Sequence, residues 1–127
     1  MLRILIADDH EVARSGIRSL LESHAGWEVC AEAKDGRDAV ELAASTKPDV
    51  VLLDIGMPNL NGLEAARQIS AMAPGIGILI LTMHDSAQVR DQAQKAGADA
   101  FVVKSNVGAQ LMETVRFLME IETVSHS

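Results

Sequence analysis

The chain has 127 residues, 48% hydrophobic and 23% charged, which excludes a disordered segment and fits one globular domain. A formal net charge of −7 excludes a surface built for non-specific contact with DNA or anionic membrane and suits a carboxylate site for a cation. A single cysteine, Cys30, excludes an internal disulfide framework, and no apolar run reaches the roughly 18 residues of a membrane span.

In chain order, residues 2–7 (LRILIA) are apolar apart from Arg3 and read as a first strand. The spacing of Ala13, Ile17, Leu20 and Leu21 predicts a helix over 10–24. WEVCAEA, 27–33, alternates and reads as a second strand, less buried than the first. Asp35-Gly36 turns the chain into a helix over 37–46 that Pro48 stops. A third strand is expected over 49–53, then a PNLNG loop and a helix over 63–72 that Pro74-Gly75 breaks. IGILIL, 76–81, is a fourth strand. A weakly apolar helix over 86–96 stops at Gly97. ADAFVV, 98–103, is a fifth strand, and a last helix runs from 107 to about 121, with Leu111, Val115 and Leu118 as its stripe.

Strands and helices thus alternate five times at a spacing that suits right-handed βα crossovers and a parallel sheet. In such a sheet all strands point one way, and ligands bind outside their carboxyl ends. The first strand ends on Asp8-Asp9, the third on Asp54, the fourth on Thr82 and the fifth on Lys104. Three carboxylates, a hydroxyl and an ammonium therefore share one rim. Oxygen donors of this kind favour a hard cation such as Mg²⁺. A lysine and a hydroxyl can hold phosphate oxygens, and a carboxylate can accept a phosphoryl group as nucleophile.

Each residue also has an ordinary role when taken alone. Asp8-Asp9 could cap a helix, Asp54 could start a loop, Lys104 could be a solvated charge and Thr82 a strand end. Their joint placement carries the functional reading. His10 and His84 border the rim but lack ligand spacing, so neither is expected to bind metal; His84 is placed to influence phosphoryl lifetime. Cys30 and the methionines read as filler.

The segments ILIADDHEVARSGIRSLL, VVLLDIGMPNLNGLEAAR, ILILTMHD and AGADAFVVKS, in this order, resemble the response-regulator receiver domain of two-component signalling over nearly the whole chain. The DDH, TMH and VKS segments look most like the subfamily with a LuxR-type helix-turn-helix output domain. The resemblance implies a flavodoxin-like (βα)5 fold with a doubly wound five-stranded parallel sheet of order 2-1-3-4-5. It implies that Asp54 receives a phosphoryl group from a sensor histidine kinase. Asp9 would bind Mg²⁺ directly, with Mn²⁺ as a substitute, and Asp8 mostly through water; the Gly56 backbone carbonyl completes the protein's ligands. Thr82 would hydrogen-bond the phosphoryl group, Lys104 would pair with it, and Phe101 takes the aromatic switch position. Many receivers carry proline after the lysine; here Ser105 follows, so no cis bond is expected there.

The resemblance further implies a switch rather than an enzyme, apart from intrinsic self-phosphorylation and autodephosphorylation. Residues 1–122 would form the receiver and 123–127 a tail or the start of a linker to an output domain absent from this chain. The chain itself would touch neither membrane nor nucleic acid; DNA would be met through the output domain, and phosphorylation would promote a homodimer. With one cysteine and no signal-peptide pattern, a cytoplasmic location is expected. Two other classes fit less well. A phosphohydrolase with an Asp nucleophile carries its general acid two residues on, where this chain has Gly56, and a nucleotide-binding module would need a Gly-rich phosphate loop. A degenerate receiver is disfavoured because all five polar positions are intact.

Overall fold

The computed structural model describes the backbone of residues 1–126 and the side chains of residues 1–119. Strands β1 (Leu2–Ala7), β2 (Trp27–Ala33), β3 (Val50–Asp54), β4 (Gly77–Thr82) and β5 (Ala100–Val103) form one sheet of order β2-β1-β3-β4-β5, every pair parallel. Helices α1 (Glu11–Glu22), α2 (Gly36–Thr46), α3 (Gly62–Met72), α4 (Ala87–Lys95) and α5 (Val107–His126) connect or follow them. This is the flavodoxin-like (βα)5 fold that the sequence led us to expect.

β3 and β4 are buried at every position, which is why they read as unbroken apolar runs rather than as alternation. Their side chains still alternate between two cores. Leu5, Val51, Leu53, Ile78 and Ile80 face α2, α3 and α4, which approach closely through Ala39, Ala43, Ala65, Ala66 and Ala93. Ile4, Ile6, Val50, Leu52, Leu79 and Leu81 face α1 and α5 through Ile17, Leu21, Leu111, Val115 and Leu118. β2, at the sheet edge, is only half-buried, as its polar alternation predicts.

Several boundaries differ from the sequence reading, for identifiable reasons. β3 starts at Val50 rather than 49, because Asp49 acts through its carboxylate and accepts the Arg3 N–H at 2.8 Å. β5 starts at Ala100 rather than 98, because Asp99 does the same to the Ile78 N–H at 2.9 Å. α1 spans 11–22, with His10 at its N-cap and Ser23 at its C-cap. Gly97 adopts φ +98° and ends α4, with the Ala98 N–H returning to the Ala93 carbonyl. Residues Lys104–Asn106, expected as loop, form a 3-10 turn that runs straight into α5. α5 continues past residue 121 to His126, across the boundary expected at 122, and Ser127 lies outside the described residues.

Register places the site. Ala7 pairs with Leu53, Asp54 with Leu81, and Thr82 with Val103. Asp8 therefore emerges beside Asp54, Thr82 one step beyond Asp54's partner, and Lys104 one step beyond Thr82's partner. All lie at the carboxyl rim, where the sheet order reverses between β1 and β3.

Candidate functional site

Asp54, the last residue of β3, is 4% exposed, and Asp8 just after β1 is fully buried. Lys104 reaches both. Its Nζ donates to Asp8 Oδ2 at 2.9 Å and stands 3.3 Å from Asp54 Oδ2, with the side chain 14% exposed. The Gly56 N–H lies 3.4 Å from Asp54 Oδ1. The Thr82 hydroxyl lies 3.3 Å from both the N–H and the carbonyl of His84. Asp54, Gly56, Thr82 and Lys104 line a cleft of about 710 Å³ whose apolar walls include Val12, Ile55 and Met83.

Burial pushes the Asp54 carboxyl above its usual range; Lys104 opposes this and the Asp8 charge adds to it. For Lys104, burial acts to lower the pKa, but the hydrogen bond to Asp8 and the charges of Asp54 and Asp8 outweigh it, and the net shift is upward. The ammonium is therefore the permanent counter-charge of the rim.

One ligand atom each from Asp8, Asp9, His10 and Asp54 lies within 4.8 Å of the others. Three carboxylates against one ammonium leave an excess of negative charge, with oxygen donors close enough to share one ion. That donor set fits a hard divalent cation.

The structure thus brings Asp8, Asp9, Asp54, Thr82 and Lys104 to one rim, and Gly56 lines the same cleft. Phe101 sits apart from that lining: it is half-buried on β5, with the Arg90 guanidinium 4.8 Å from its ring centre. His10 is closer to the carboxylates than expected. Its Nδ1 lies 3.1 Å from Asp9 Oδ1 and 3.3 Å from Asp8 Oδ1, and its N–H donates to Asp8 Oδ1 at 2.9 Å. Sequence spacing set it aside because adjacency in a turn does not show where a ring nitrogen points. Arg14 was also missed. It donates from Nη1 to the Asp8 carbonyl at 2.7 Å and from Nε to Glu32 at 2.9 Å. The available signal was Arg14 and Arg18, one turn apart beside the apolar stripe of α1, facing Glu32 on β2.

Among the described residues no helix is long and apolar enough to cross a membrane. Residues 4–116 match the family described as the response regulator receiver domain. The chain is 35% identical over 119 residues to the transcriptional regulatory protein DegU of Brevibacillus brevis, covering 94% of this chain and 50% of that protein. It is 36% identical to the response regulator UvrY of Escherichia coli K12, covering 91% of this chain and 53% of that one. The chain thus spans about half the length of these relatives. Among solved structures, a LuxR-family two-component response regulator from Aurantimonas superposes with a TM-score of 0.88 at 38% identity, covering 93% of this chain and 85% of that chain.

Proposed function

The chain belongs to the response regulator receiver-domain family, and from that premise we propose that it is a phosphorylation-activated switch whose phosphoacceptor is Asp54. The observation that carries the reading is the placement of Lys104 between Asp8 and Asp54, in a cleft that both Lys104 and Asp54 line. A sensor histidine kinase is the proposed donor. An Asp54 carboxylate oxygen attacks phosphorus as the P–N bond of the kinase's phosphohistidine breaks. The kinase ring, protonated on its other nitrogen, leaves as neutral imidazole. Little else is asked of the protein than to position the groups and neutralise charge.

Asp8, Asp9, Asp54 and the Gly56 carbonyl are the residues that would hold Mg²⁺, with Mn²⁺ as a substitute; the ion would neutralise and orient the phosphoryl oxygens. Lys104 exchanges its bond to Asp8 for one to the phosphoryl group. Thr82 gives up its contact with His84 to donate to a phosphoryl oxygen. Phe101, under Arg90, is the proposed reporter of that movement at the surface of α4 and β5. The named relatives are transcriptional and response regulators about twice as long, so we read this chain as the receiver part of a DNA-binding regulator of the cytoplasm. DNA is then met by an output segment and not by these residues. The test is chemical: after incubation with a small acyl phosphate and Mg²⁺, borohydride reduction should convert an aspartyl phosphate to homoserine. Peptide mapping should find that homoserine at position 54, and homoserine elsewhere would refute the assignment.

A further inference from the structure

The segment from Ile55 to Asn61 leads from β3 to α3 and carries Gly56. It is held at three points. At its base the Gly62 N–H donates to the Ile55 carbonyl at 3.2 Å, and Gly62 lies so close to the Asp54 carbonyl that a Cβ there would overlap it. In its middle the Leu60 N–H turns back to the Pro58 carbonyl at 2.7 Å. Asn59, at the centre of that three-residue turn, has φ +65°. Few residues other than glycine adopt this conformation; asparagine and aspartate are the usual ones. On its outer side the loop meets the start of α2. Asn59 Nδ2 donates to Asp35 Oδ2 at 2.8 Å, while Asp35 Oδ1 caps α2 by accepting the Asp38 N–H at 2.8 Å. Gly36 lies flush against the Leu60 carbonyl, where a Cβ would overlap it.

One carboxylate therefore serves two masters: the first turn of α2 and a loop from a different βα unit. The Asp38 N–H and the Asn59 amide both hold its carboxyl below the usual range. A strained turn persists only where its surroundings over-determine it, and here the surroundings are Asp35 and Gly36.

We propose that Asp35 and Asn59 are positioning residues for the phosphoacceptor site, clamping the β3–α3 loop so that its backbone near Gly56 is pre-set for the cation and the phosphoryl group. This rests on the phosphoacceptor reading above. Neither side chain touches the reacting atoms; both act through the loop. Residues that orient metal ligands from outside are worth roughly 10- to 100-fold in metal affinity.

Asn59→Asp keeps a residue that tolerates the left-handed turn but sets a carboxylate against Asp35. Combining it with Asp35→Asn restores a donor–acceptor pair of reversed polarity, keeps a good N-cap residue and returns the net charge to the native value. The experiment is a Mg²⁺ titration of the three proteins, with amide hydrogen exchange of residues 55–61 followed without metal. Asn59→Asp should weaken Mg²⁺ binding about tenfold and speed exchange in the loop, and the double substitution should reverse both. Added negative charge by itself favours a cation, so a loss of affinity reports geometry. Asn59→Asp binding Mg²⁺ as tightly as the native chain would overturn the clamp, as would a double variant no better than the single one. A native chain that takes up no Mg²⁺ would instead overturn the phosphoacceptor reading, and this role with it.

Discussion

Lys104 donates its shorter bond to Asp8, at 2.9 Å, and not to Asp54, from which it stands 3.3 Å. In this arrangement the lysine occupies the counter-charge position that a cation would share. Under the proposed function it would give up Asp8 as a cation and a phosphoryl group are seated. Lys104→Ala therefore has two opposite consequences. Stability without Mg²⁺ should fall by about 1.5–3 kcal/mol, the usual worth of a charged hydrogen bond with a buried partner. Mg²⁺ affinity should rise, because a competing cation is gone. Denaturant melts with EDTA and with saturating Mg²⁺ measure both, and weaker Mg²⁺ binding in the variant would contradict the competition.

Asp54 carries the pH dependence. Its folded pKa is raised by burial, so the folded chain holds this proton more tightly than the unfolded chain does. Stability is then lost as pH rises from the ordinary carboxylate value of 3.8 through the raised folded value. Asp54→Asn removes that loss. At neutral pH in EDTA the variant should melt a few degrees higher, about 1 kcal/mol for a domain of this size. The gap should close on acidification, and it should narrow in Mg²⁺, where ligand linkage at ten times the dissociation constant adds roughly 1.4 kcal/mol to the native chain. Equal melting temperatures in EDTA at neutral pH would count against a tight, desolvated cluster.

Arg14 supports the acidic turn from behind. Its side chain is 13% exposed and joins the Asp8 carbonyl to Glu32. Arg14→Ala should cost about 1.5–3 kcal/mol and weaken Mg²⁺ binding. Arg14→Lys should recover little of either, since an ammonium cannot reproduce the planar fork that reaches both acceptors. Full recovery by lysine would show that only charge matters at this position.

The rim was legible because Asp54 and Thr82 end strands, and Asp8 and Lys104 directly follow strands, whose apolar runs announce burial. Asp8, Asp54, Thr82 and Lys104 need no long-range information beyond parallel pairing. Trp27 was likewise placed at the amino end of β2, where it pairs with Leu2 and stacks on His24 at 4.1 Å. What escaped the sequence depends on where side chains reach. Asp49 and Asp99 looked like strand residues because nothing in a sequence says that a carboxylate will satisfy a neighbouring strand's N–H. Lys104 was expected to meet a phosphoryl group, but its bond to Asp8 spans 96 positions. Asp35 and Asn59, 24 positions apart, read as two unrelated turn residues until the fold laid one loop against the other helix.

α4 buries Ala93 alone among its residues, so it is lightly anchored between the site and the surface. A phosphoryl group shifts such an element only through its different affinity for two states. With a stable phosphoryl mimic and Mg²⁺, sedimentation should show the monomer giving way to a homodimer through the α4–β5–α5 face or through α1 and α5. A monomer unchanged by the mimic would contradict this mode of output.

The central claim, that Asp54 accepts a phosphoryl group with the help of a cation held by its neighbours, is tested most directly by intact mass. The native chain and Asp54→Asn are each incubated with a small acyl phosphate, with Mg²⁺ and with EDTA. A single phosphate adduct is predicted on the native chain with Mg²⁺ and in no other sample. An adduct that persists in Asp54→Asn, or that forms as readily in EDTA, would contradict the account.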